Sequence, residues 1–184
     1  IVPDEPLLAE DEVHYNGMPV ALVVAVSTEI AYAAVKKIRI EIEKYAVVTD
    51  PRVAQAGGSL IVPPRTFKLG DSKSAFKNCT HIFEGVAETN GQEHLYIETQ
   101  GAYTIPAENT SIKVYSSTQG PTAVQKHMAV VLGIPMHRIE VDTTRLGGGF
   151  GGKEDQATSW AIFCALATWH LKRPVKYSLH RMED

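Results

Sequence analysis

Cysteine is scarce: the 184 residues hold only Cys79 and Cys164, far apart and in no CxxC pair. A disulfide framework, a zinc finger and a cysteine-ligated iron–sulfur site are thereby excluded, and both residues read as buried or free thiols. The seven histidines include no H-x-x-x-H pair, so no helix face carries metal-ligand spacing. Excess charge of one sign is also lacking. The 18 Lys and Arg stand against 21 Asp and Glu, and the basic residues are scattered rather than gathered into the stripe that a nucleic-acid footprint needs. No apolar run nears the roughly 20 residues that cross a bilayer. The opening Ile1-Val2-Pro3-Asp4-Glu5-Pro6 has neither the basic region nor the apolar segment of a signal peptide. These absences point to a cytoplasmic chain with neither nucleic acid nor membrane as partner. With 44% hydrophobic and 21% charged residues, a globular composition remains, with material for one sizeable core or two small ones. There is no initial Met, and the chain stops at Asp184 soon after the strand-like Pro174-Val175-Lys176-Tyr177-Ser178-Leu179, so a piece of a longer polypeptide is expected.

Glycine, by contrast, is concentrated in one place. Gly147-Gly148-Gly149-Phe150-Gly151-Gly152 holds five glycines in six positions and is followed by Lys153 and Glu154. Glycine loses the most backbone entropy on folding, so such a cluster implies positive φ or close approach by another group. Upstream, Arg138 to Thr144 is β-branched and alternating, like a strand. Downstream, Asp155 to Lys172 carries Ala, Trp, Leu, Ile and Phe at helical spacing, with Trp160, Phe163 and Trp169 as core packing. A glycine loop between strand and helix aims backbone N–H groups at one spot, backed by the positive end of the helix dipole.

Along the rest of the chain, residues 1 to 11 look like a Pro-rich acidic loop. Val20 to Val26 is a continuous apolar run of buried-strand length. Ser27 or Thr28 caps a helix with apolar Ile30, Ala33, Ala34, Val35 and Ile38, and Arg39 to Tyr45 alternates like a half-exposed strand. Residues 13 to 45 are thus expected to form a β-α-β element. From Val48 to about Lys73, Pro51, Gly57-Gly58, Pro63-Pro64 and Gly70-Asp71 mark a surface linker, with a helical turn at Asp71 to Phe76. Strands are expected at 80 to 89, turning at Asn90-Gly91, then at 95 to 105 and 111 to 116. A helix opened by Pro121 should run to Gly133.

Two nucleotide motifs overlie the glycine loop. Gly147, Gly149 and Gly152 satisfy G-x-G-x-x-G, but any six residues with five glycines would. The acidic residue of a dinucleotide site, due about 20 positions on, falls on Leu171-Lys172-Arg173. Gly147 to Lys153 also satisfies G-x-x-x-x-G-K. There, however, Glu154 replaces the Ser or Thr that holds Mg²⁺ and would repel phosphate. A ligand-free packing turn would need only one or two glycines. A nucleotide- or phosphate-binding α/β module using this loop remains the alternative function.

Read together, Leu146 to Glu154, Ser117-Thr118-Gln119 and Gly91-Gln92-Glu93-His94-Leu95-Tyr96-Ile97-Glu98-Thr99 resemble, in order and spacing, the molybdenum-binding portion of the xanthine dehydrogenase and aldehyde oxidase family. The resemblance implies an α/β (α+β) fold: a partial α/β hammerhead at 1–50, a linker at 51–79, and at 80–184 the first part of a molybdopterin-binding domain with mixed sheet and helices. It implies a molybdenum–molybdopterin cofactor and hydroxylation of an electron-poor carbon with oxygen from water. Iron–sulfur clusters of the 2Fe–2S type and FAD would sit on other domains or subunits.

By motif position, the backbone N–H groups of Phe150 and Gly151, with Gly149 beside them, would cover the cofactor, and Gln119 would hydrogen-bond a molybdenum oxygen ligand. Metal contact is thus indirect, and a preorganised set of donors at a glycine loop suits such a bulky anion. Glu154 matches the position where purine-hydroxylating members face a carboxylate to the substrate, which favours a purine or other N-heterocycle. Without the resemblance, Gln119 would be an ordinary loop amide and Glu154 a first-turn glutamate on the helix dipole. Lys153 is expected to be solvated or structural, and His94 and Glu98 to be packing or buried hydrogen-bonding residues. No catalytic residue is assigned: the family's glutamate base would lie outside these residues, so the isolated chain should be inactive. Cut sheet edges would let it form homo-oligomers.

Overall fold

A computed structural model describes residues 6–184, so the expected loop at residues 1–5 lies outside the described residues. The chain divides into two compact units, one made of the described residues up to Lys37 with Gln92–Asp184, the other of Ile38–Gly91.

The first unit holds a four-stranded mixed sheet. Strands β1 (Gly101–Ala107) and β2 (Ser111–Ser116) form an antiparallel hairpin in register Ala102 with Ser116 through Ala107 with Ser111. β3 (Ile139–Asp142) adds parallel to β2 and β4 (Val175–Ser178) antiparallel to β1, giving the order β3-β2-β1-β4. Alternation along the hairpin buries Ala102 and Thr104 on β1 and Ile112, Val114 and Ser116 on β2. That face is covered by two later helices. One is opened by Pro121 and closed by Gly133 at φ 64 and buries Val124 and Met128 one turn apart; the other, Gln156–Leu171, follows the glycine loop. The long helix has almost no polar side. Ala161, Ile162, Cys164 and Ala165 join Ile112, Val114, Val124, Met128 and Ile139 in one core. Each of the Ile, Val and Met side chains among these stabilises the fold by about 1.5–3 kcal/mol relative to exposure. Trp160 stacks on Tyr177 with centroids 5.4 Å apart and meets Phe163 at 5.8 Å, which bears out the core reading of the helix aromatics.

In chain order the helices are α1 (Thr28–Val35), α2 (Pro51–Ala56), α3 (Ser72–Lys77), α4 (Pro121–Leu132) and α5 (Gln156–Leu171). The caps of α1 and α3 match the sequence: Ser27 accepts from Ile30 N–H and Asp71 from Ser74 N–H. Three strand expectations fail among the described residues, and the one at 95–105 fails over its first residues. Residues 20–26 and 39–45 pair with no strand, so the β-α-β element reduces to α1, and 80–89 with 95–99 carry neither ladder nor the turn at Asn90-Gly91. Alternation sets which face a strand would bury, but a strand exists only where a partner backbone accepts its hydrogen bonds. Instead, Leu22 to Ser27 lies with α1, Phe163, Cys164 and β4 around a cavity of about 620 Å³. In the second unit, the expected linker contains α2. Asp50 caps it by accepting from Arg52 N–H at 2.8 Å, and Arg52 also pairs with Glu88 at 3.0 Å.

Candidate functional site

Three segments meet where the sheet ends. The chain leaves β2 into Ser117, Thr118 and Gln119, leaves β3 into the glycine loop, and enters β1 through Tyr96 to Gln100. Gln119 N–H donates to Lys153 C=O at 2.8 Å, and Glu98 N–H donates to Gly147 C=O at 3.3 Å, so the loop is tied to both other segments by its backbone. Within the loop, Gly152 N–H donates back to Gly149 C=O at 2.8 Å.

The loop backbone turns through positive φ at Gly148 (100°), Phe150 (52°) and Gly151 (95°). For Phe150 this left-handed conformation costs about 1–2 kcal/mol, and it leaves the ring 76% exposed. A Cβ on Gly149 would overlap Gln119 Oε1, one on Gly147 would overlap Glu98, and one on Gly152 would come within 2.9 Å of His94 and Tyr96. The surplus of glycines is therefore accounted for by close approach of the chain's own side chains to the loop.

Gln119 sits against this loop with its amide oriented. Its Oε1 accepts from Gly151 N–H at 2.9 Å and from Lys153 N–H at 3.3 Å. Two backbone donors on one end fix that end as the oxygen. Nε2 is left as a donor with no acceptor among the described residues, as is the N–H of Phe150. Glu154 follows directly, exposed and without a hydrogen-bonding or ionic partner among the described residues. It lies before the Asp155 cap, so it stands just outside the first turn of α5 rather than in it. The structure thus gathers the exposed Gln119, Phe150, Gly151 and Glu154 at the loop, with Gly149 buried beneath the Gln119 side chain. They line neither the cavity of about 470 Å³ nor the one of about 620 Å³ among the described residues.

Lys153 and Glu98 go further than the sequence indicated. Lys153 has 0% exposure, which removes the solvated reading and bears out the structural one. Its Nζ donates to Glu98 C=O at 2.7 Å, to Ser117 Oγ at 2.7 Å and to Glu98 Oε2 at 3.1 Å, and lies 4.3 Å from the Tyr96 ring centroid. Partial burial works against the Glu98 carboxylate, but hydrogen bonds from Ser117, Gly147 and Lys153 hold it below the usual carboxylate range. A lysine among glycines has no apolar periodicity to announce burial. The available signal was the carboxylate of Glu98 in the partner segment.

Among the described residues no group of three or more His, Cys, Asp or Glu is placed to hold a metal ion. Unengaged donors at Gln119 Nε2 and Phe150 N–H fit a bulky anion with several acceptors.

Over residues 54–184 the sequence matches the family described as Molybdopterin cofactor-binding domain. Xanthine dehydrogenase of Emericella nidulans is 38% identical over 182 residues, which are 98% of this chain and 13% of that protein. Aldehyde oxidase 2 of Cavia porcellus is 35% identical over 183 residues, 98% of this chain and 14% of that protein. The chain thus spans 13–14% of the length of these curated relatives. Among solved structures, quinoline 2-oxidoreductase from Pseudomonas putida 86 aligns with a TM-score of 0.81 at 27% identity, covering 97% of this chain and 24% of that one.

Proposed function

The chain belongs to the molybdopterin cofactor-binding domain family, and from that premise we propose that it is one wall of the active site of a xanthine dehydrogenase-like molybdenum hydroxylase. The observation that carries this is the oriented Gln119 amide, whose oxygen is held by Gly151 and Lys153 N–H while its Nε2 stays free to donate. When bound, the molybdopterin centre would supply oxidative hydroxylation of a substrate carbon with oxygen from water. This chain's part is to bind and orient. Gly149, Phe150 and Gly151 form the cofactor-facing surface with Gln119: Gly149 admits the Gln119 side chain, Gly151 fixes its amide, and Phe150 offers a further N–H. Fixed donors of this kind need no reorganisation during reaction.

Glu154, exposed and unpaired beside them, would receive the ring N–H groups of a purine or another N-heterocycle. An unpartnered carboxylate at the loop opposes the phosphate-binding alternative. The rest of the enzyme follows from kinship: 2Fe–2S clusters and FAD on other domains or subunits accept the electrons, in the cytoplasm. The hammerhead, linker and molybdopterin-domain boundaries at 1–50, 51–79 and 80–184 belong to the same proposal. The base that would activate water is not assigned to any of these residues, so residues 1–184 alone should neither retain molybdenum nor turn over substrate. Metal and pterin analysis with a purine hydroxylation assay, on the full-length parent and on the isolated chain, tests both statements. A parent without molybdenum overturns the assignment. Turnover by the isolated chain overturns the division of labour.

A further inference from the structure

Lys153 is the one charged side chain among the fully buried residues described, and its ammonium group has three protons for three acceptors: Glu98 C=O, Glu98 Oε2 and Ser117 Oγ. The same Glu98 oxygen accepts from Ser117 Oγ at 2.6 Å and from Gly147 N–H at 2.8 Å. Glu98 therefore grips the first residue of the glycine loop. The backbone of Lys153 grips the other side, giving its N–H to Gln119 Oε1 and receiving Gln119 N–H and, at 3.3 Å, the Thr118 hydroxyl on its carbonyl. One ion pair thus closes a ring through both ends of the loop and through Gln119.

We infer that Lys153 and Glu98 are a positioning pair, bridged by Ser117, that sets the glycine loop and the Gln119 amide in the geometry that meets the cofactor. The part concerning the cofactor rests on the function proposed above; the part concerning the loop does not. Neither side chain need touch the cofactor or substrate. The pair acts through the backbone of residues 147–153, where the unengaged Phe150 N–H and the Gly151 N–H on Gln119 are displayed. A buried ion pair is weak evidence for stability in itself. What marks this one is that its contacts converge on the loop rather than on the core.

The test uses the full-length parent holoenzyme with Glu98→Gln and Ser117→Ala, of which Ser117→Ala removes only a hydroxyl and keeps the fold if Glu98→Gln does not. Hydrogen exchange of amides 147–152 should quicken by about tenfold or more in both variants, while α4 and α5 keep their protection. In variant enzyme that holds molybdenum, kcat should fall by roughly 10- to 100-fold with KM nearly unchanged, and the Mo(V) electron paramagnetic resonance signal should shift, as expected for misplaced donors. Unchanged loop exchange overturns the inference. A loosened loop with unchanged kcat and unchanged resonance signal overturns its cofactor half. If the wild-type parent carries no molybdenum, the functional proposal fails while the exchange measurement still decides whether the pair holds the loop.

Discussion

Cys164 shows how far one environment can carry a single residue. It is 2% exposed within α5, its Sγ donates to Ala102 C=O at 3.6 Å, and burial pushes the thiol up to about 12 against a weaker opposing backbone hydrogen bond from Tyr177. A folded pKa above the ordinary 9.0 means that the folded state holds the proton longer, so this contribution to stability is intact below pH 9 and is lost as pH rises towards 12. Cys79 is exposed. Iodoacetamide at pH 8 should therefore modify Cys79 in the native protein and Cys164 only after denaturation, read by mass spectrometry; rapid native labelling of Cys164 would contradict its burial. The sequence named both as buried or free thiols without saying which was which. Exposure depends on neighbours such as Ala102, which lies far away in sequence.

At the scale of elements, the parts legible in the sequence were those with local causes. α4 was marked by Pro121 and Gly133, α1 by Ser27, β2 by its alternation, and α5 by apolar residues at helical spacing. α2 carried a signal that composition hid, an Asp50 cap followed by Pro51, inside a stretch dominated by turn residues. The apolar run at 20–26 did not become a paired strand, because ladder formation is decided by the partner. The largely buried α5 is the element on which the sheet depends. Ile162→Ala, at a site with 0% exposure, should cost about 2–5 kcal/mol in a urea unfolding curve with unchanged m-value. A loss near zero would mean that α5 is not packed on the sheet as described.

At the scale of the whole molecule, β3 and β4 close the sheet on either side without a further pairing strand among the described residues. Many large apolar side chains remain outside the core, among them Ile42 at 62%, Phe67 at 89%, Phe83 at 92% and Val86 at 92% exposure. Where such side chains are contiguous they favour association with other protein. The isolated chain should therefore self-associate. Light scattering should give a mass that rises with concentration, and a single monomeric species over the whole range would contradict it.

The sequence by itself determined the class of composition, the helices with local caps, the hairpin alternation and the kinship carried by three short motifs, because each of these is written in neighbouring residues or fixed spacing. The tertiary structure alone decided that the glycines make room for Glu98, Gln119 and His94, that Lys153 is buried as the partner of Glu98, and that Gln119 turns its donor outward. Those facts depend on segments far apart in sequence meeting at one end of a sheet, Glu98 lying 19 residues from Ser117 and 55 from Lys153, and charge or spacing in any one segment cannot report the meeting.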